Sequence, residues 1–87
     1  MPTLILLESS FDPPATEADL DAIADKVGDC LDVRGVRWLH SYQSLDGKRR
    51  ICVFEAADAD AVRDAYRMAG VKYDRVWTAD LVRDEDE

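Results

Sequence analysis

A chain of 87 residues holds one domain, and a domain this short buries only about 60–65% of its unfolded surface, so a lone copy is marginally stable. With 47% hydrophobic and 34% charged residues the chain is too apolar for disorder. Its 19 acidic against 11 basic side chains leave a net charge of −8, which excludes nucleic-acid backbone binding and docking on anionic lipid.

Thr3 to Ser9 is aliphatic and β-branched and predicts a strand, which Asp12-Pro13-Pro14 breaks. Thr16 stands three residues before Asp19 in an acidic variant of the capping box. Leu20, Ile23, Ala24, Val27 and Leu31 then recur at helical spacing, predicting a helix of about four turns with Gly35 as its stop. Gly28 weakens that helix, and Asp21, Asp25, Asp29 and Asp32 form a solvated face.

Val36 to Ser44 and Lys48 to Ala57 read as a hairpin around Ser44-Leu45-Asp46-Gly47. A type I turn followed by a left-handed glycine pairs Ser44 with Lys48 and sets His40 opposite Cys52, Trp38 opposite Phe54, and Val36 opposite Ala56. The rival, a two-residue Asp46-Gly47 turn, sets His40 opposite Val53. The bulged form is preferred. Asp58 caps a second helix carrying Ala61, Val62, Ala65, Tyr66 and Ala69, and Gly70 ends it. Arg75 to Val82 closes the chain as a fourth strand.

The order β-α-β-β-α-β is the α+β, ferredoxin-like arrangement: a four-stranded antiparallel sheet with two helices on one face. One domain is expected over residues 1–83, with Asp84-Glu85-Asp86-Glu87 as a disordered acidic tail. Leu4-Ile5-Leu6-Leu7 and Ile51-Cys52-Val53-Phe54 are apolar on both sides, whereas helices cover only one. Face-to-face homodimerisation into a dimeric α/β barrel is therefore expected.

The longest fully apolar run, Leu4 to Leu7, is far below the roughly 20 residues of a membrane helix. MPTLILLESS has no basic segment, so no signal peptide is expected and the compartment is taken as cytoplasmic. No Gly-rich phosphate loop, nucleophile elbow or HExxH is present.

His40 is the single histidine, and Cys30 and Cys52 are the two cysteines. As cross-strand partners, His40 and Cys52 would hold their Cβ atoms about 4.5–5.5 Å apart. Imidazole with thiolate suits Ni(II), Zn(II) or copper, and Glu8 or Glu55 could add an oxygen. Against this stands the commoner fate of a free cysteine, packing as a small hydrophobe. Acid–base chemistry would pair His40 with Glu8 or Glu55, but no catalytic residue is assigned. Trp38, Tyr42, Phe54 and Tyr66 are expected to line a pocket or the dimer face.

GVRWLHSYQSLDGKRRICVFEA, the following helix ending in RMAG, and Tyr73-Asp74-Arg75-Val76 together resemble a small bacterial family. That family was long filed as a domain of unknown function and is typified by a nickel-responsive, nickel-binding protein. The pattern W-x-x-S…DG…C-x-x-E-A falls here on Trp38, Ser41, Asp46, Gly47, Cys52, Glu55 and Ala56. The resemblance implies a ferredoxin-like fold, a homodimer and, in some members, bound nickel. It also implies further histidines in many relatives, one of them in the second helix, where this chain has Tyr66 and Arg67. The expected function is a non-enzymatic homodimer binding Ni(II) or another small ligand near His40 and Cys52. The alternative is a small monooxygenase- or cyclase-like enzyme with an intersheet pocket.

Overall fold

A computed structural model describes residues 2–84. Alternating and doubly apolar stretches form the strands β1 (Thr3–Ser10), β2 (Arg37–Gln43), β3 (Arg49–Ala56) and β4 (Arg75–Ala79). Between them lie α1 (Glu17–Val33) and α2 (Ala59–Ala69). The sheet runs β2-β3-β1-β4 with every pair antiparallel, the ferredoxin-like order.

Both helices start where the sequence says. The Thr16 backbone N–H donates to the Asp19 carboxylate at 2.9 Å, and the Asp19 N–H donates to Thr16 Oγ1 at 3.1 Å, so the acidic capping box is complete. The Asp58 carboxylate accepts from the Ala61 N–H at 3.0 Å, and Gly70 ends α2 in the left-handed conformation. Val27 and Leu31 of α1 and Val62, Ala65 and Tyr66 of α2 pack on Ile5, Leu7, Cys52, Phe54 and Val76 of the sheet. Arg34 ties the helices together, donating to the Asp64 carboxylate at 3.1 Å and to Met68 Sδ at 2.8 Å.

The central strands β1 and β3 are apolar on both sides, as expected. Ile5, Leu7, Cys52 and Phe54 face the helices, while Leu4, Leu6, Ile51 and Val53 alternate with them onto the opposite face. No element among the described residues covers that second, open face.

The hairpin register departs from the preferred one. The type I turn forms, with the Gly47 N–H donating to Ser44 O at 3.0 Å and Gly47 at φ +74. The ladder, however, closes at Ser44–Arg49 rather than Ser44–Lys48, through the Ser44 N–H donating to Arg49 O at 2.9 Å. The cause is Asp46. Its carboxylate accepts from the Lys48 N–H at 2.9 Å and the Ser44 hydroxyl at 2.6 Å, spending inside the loop the amide that a tighter turn would give to the strand.

His40 therefore pairs with Val53, Ser41 with Cys52 and Tyr42 with Ile51. A bulge at Leu39 then restores Trp38 opposite Phe54 and Arg37 opposite Glu55. The expected His40–Cys52 pair is overturned, and with it the placing of His40 and Tyr42 on the Phe54 side.

β4 is also shorter than expected, ending at Ala79 rather than Val82. The last pair with β1 is Leu4–Ala79, one residue from the start of β1 at Thr3, and beyond it Leu81 and Val82 are exposed. Of the expected acidic tail only Asp84 is described; residues 85–87 lie outside the described residues.

Candidate functional site

The eight candidate residues divide between the two sides of the sheet, with Tyr66 of α2 on the helix side. On the open face β2 presents His40 and Tyr42, their rings edge-to-face with centroids 5.2 Å apart. Beside them β3 presents Ile51, Val53 and Glu55, β1 presents Leu4, Leu6 and Glu8, and β4 presents Trp77. Tyr42 is 65% exposed, Leu4, Leu6, Ile51 and Trp77 are half-buried, and Val53 is buried among its neighbours, so this face is open to solvent most of all at its β2 edge.

Each carboxylate of that face is already engaged. Glu8 is buried and held from both sides, by Arg49 of β3 and by Arg75 Nε of β4 at 2.9 Å. The Arg49 hydrogen bond, followed by the attraction of Arg75, holds its carboxyl below the usual range despite burial. Glu55 lies 3.6 Å from Arg37 Nη1. Along β1 the row opposite Glu8 lies four residues from the row opposite Glu55, a separation of about 13 Å at the usual strand rise.

Cys52 lies on the other side of the sheet, buried in the core beneath the helices, while His40 is exposed on the open face. Among the described residues no three His, Cys, Asp or Glu side chains converge as metal ligands. The proposed donors His40, Cys52, Glu55 and Glu8 thus do not fit a nickel centre within one protomer: one is across the sheet and one is locked by two arginines.

The helix side holds a cleft of about 230 Å³ between α1 and the sheet. Ile23, Val27, Leu31 and Phe54 make its apolar wall. Arg50, Cys52, Tyr66 and Trp38 give it polar atoms, and Asp32 stands on its α1 side. The Trp38 indole N–H donates to Ser41 Oγ at 2.9 Å. Burial pushes the Tyr66 phenol well above its ordinary range, the neighbouring Cys52 adds to the rise and Arg50 opposes it. Tyr66 consequently keeps its proton at any physiological pH. It also stacks edge-to-face on Phe54 at 6.2 Å and on Tyr73 at 6.1 Å.

Arg50 is the residue that composition and motif left unnoticed. Its Nη2 reaches Ser41 Oγ at only 3.4 Å, and its buried Nε has no hydrogen-bond partner. An orphaned buried donor costs about 1–3 kcal/mol, more on a charged group. Its signal in the sequence was parity: Arg50 alternates with Cys52 and Phe54, the two residues that face the helices. Of the expected pocket or dimer-face residues, Trp38, Phe54 and Tyr66 line this cleft and Tyr42 stands on the open face.

A protein-family model described as "Nickel responsive protein SCO4226-like" matches residues 6–78. The crystal structure of SCO4226 from Streptomyces coelicolor A3(2) superposes with a TM-score of 0.79 at 16% identity, covering 92% of this chain and 99% of that one. At that identity the likeness concerns the fold. No curated protein sequence is significantly similar.

Proposed function

Since the chain belongs to the SCO4226-like family of nickel-responsive proteins, we propose that it works as a non-catalytic cytoplasmic homodimer, two copies packed open face to open face. One observation carries this. Leu4, Leu6, Ile51, Val53 and Trp77 form an apolar centre on a sheet face that no described element covers. Around that centre both carboxylates are already paired, Glu8 with Arg49 and Arg75 and Glu55 with Arg37, so a second copy meets no bare carboxylate of these two and only one surplus positive charge in this set.

Nickel meets the protein on the same face. One protomer offers a single exposed imidazole there, and a dimer brings the His40 of each copy to a common surface, which is the donor arrangement a metal titration tests. Cys52 has no part in it.

Light scattering at micromolar concentration should give the mass of two chains, and the double substitution of Leu6 and Trp77 by glutamate should give one. A monomeric mass for the unaltered protein overturns the dimer. In titration calorimetry with Ni(II), His40→Ala should abolish the heat and Cys52→Ala should leave it. No heat in the unaltered protein, or loss with Cys52→Ala alone, overturns the metal assignment while leaving the dimer standing.

No helix among the described residues is long and apolar enough to cross a membrane. The two cysteines are free, which accords with a reducing compartment.

A further inference from the structure

The cleft on the helix side is separate from the open face and independent of dimerisation. We propose that it binds a small organic monocarboxylate, with the carboxylate on the Arg50 guanidinium and an apolar body against Ile23, Val27, Leu31 and Phe54.

Size comes first. The cleft measures about 230 Å³, the room of seven or eight waters at about 30 Å³ each, which suits a short branched acyl chain or a single aromatic ring. Its wall is mostly hydrocarbon, so water against Ile23, Val27, Leu31 and Phe54 gains few hydrogen bonds and an apolar body displaces it favourably.

Charge comes second. Arg50 is the cationic side chain of the cleft, and its buried Nε points a donor at no acceptor. A guanidinium presents its donors in a planar fork that a carboxylate satisfies with two parallel hydrogen bonds. The 3.4 Å bond to Ser41 Oγ is long enough to yield, and that oxygen is already served by Trp38. Across the cleft Asp32 opposes a second negative charge, so a monoanion is favoured over a dicarboxylate.

Shape comes third. Gly28 lines the cleft from inside α1, where an alanine would serve the helix better, and a Cβ built there meets nothing within 4 Å. The helix therefore leaves space beside the void where almost any side chain would begin to fill it.

The experiment is a chemical-shift titration of the intact protein with benzoate and with hexanoate, using benzamide and inorganic phosphate as controls. The Trp38 indole and Gly28 amide signals should move saturably with either acid, and the Trp77 indole on the open face should not. Benzamide should bind about tenfold more weakly or less, since it keeps the ring and loses the charge. Phosphate, which has charge without an apolar body, should leave the signals in place. Arg50→Gln should weaken benzoate binding by about tenfold or more, and Gly28→Leu should remove it. No saturable shift with either acid overturns the proposal, as does benzamide binding as tightly as benzoate, phosphate reproducing the shifts, or shifts centred on Tyr42 and Trp77. Should Arg50→Gln fail to fold, unchanged benzoate affinity in Gly28→Leu overturns it alone.

Discussion

Two glycine-to-alanine substitutions should move stability in opposite directions. Gly28 lies in the interior of α1, with a right-handed backbone and open space where the methyl would go. Alanine there gains about 0.5–1 kcal/mol, because the unfolded chain loses freedom and the helix gains a better former. For a domain of this size each kcal/mol moves the midpoint by about 4–8 °C, so Tm should rise by roughly 2–8 °C.

Gly47 is the opposite case. Its φ is +74, and an added methyl would sit 3.2 Å from Pro14 Cβ and 3.3 Å from the Ala15 carbonyl oxygen. The left-handed conformation alone costs a non-glycine residue about 1–2 kcal/mol. The Ala15 N–H also donates to Gly47 O at 2.9 Å, so the turn cannot shift away without breaking a bond. Tm should fall by about 5 °C or more. Thermal melts followed by far-UV circular dichroism, at one protein concentration because a dimer's midpoint depends on it, decide the matter. A Gly28→Ala melt at or below that of the parent, or a neutral Gly47→Ala, refutes the reasoning.

Phe54 is 1% exposed in the middle of β3 and touches both helices' core residues; Phe54→Ala should cost about 3–5 kcal/mol in urea denaturation. An 87-residue domain holds only about 4–13 kcal/mol in all, so the variant gives up a large share of it and at the lower end of that range unfolds at 37 °C. Glu8 gives a pH dependence. Its folded pKa lies below the unfolded value, so its stabilising effect is fully present above that unfolded value near 4.5 and is lost as pH falls through the folded one. Urea midpoints measured downward from pH 5 should therefore drop more steeply in the parent than in Glu8→Gln, and equal slopes would dismiss the Arg49–Glu8–Arg75 clamp as a contributor.

Much of the fold was legible because local signals agreed. Thr16 with Asp19, Asp58, Gly35 and Gly70 mark helix ends by chemistry that acts within a turn of chain, and the doubly apolar Leu4–Leu7 and Ile51–Phe54 marked the two central strands. The site was harder for a physical reason. Side-chain facing in a hairpin depends on a count that one residue can reverse, and two such events occur here, at the Asp46-braced loop and at Leu39. Turn composition could not reveal that the Asp46 carboxylate captures the Lys48 amide. Arg50 stayed hidden because composition does not distinguish it from Arg49, whereas strand parity sends one outward to Glu8 and the other inward beneath α1.

The two displacements on the hairpin cancel. Counted from the loop, each pair sums one residue higher than the Ser44–Lys48 closure would give, and Leu39 absorbs that surplus before the strand reaches Trp38. Leu39 is thus a residue that the sheet carries without using. A homologue lacking it would keep Trp38 on Phe54 and His40 on Val53, with an unbroken ladder between. Alignments across this family should accordingly admit a one-residue gap inside the second strand, where gaps are ordinarily forbidden, and a relative with that gap would present the same two faces from a flatter sheet.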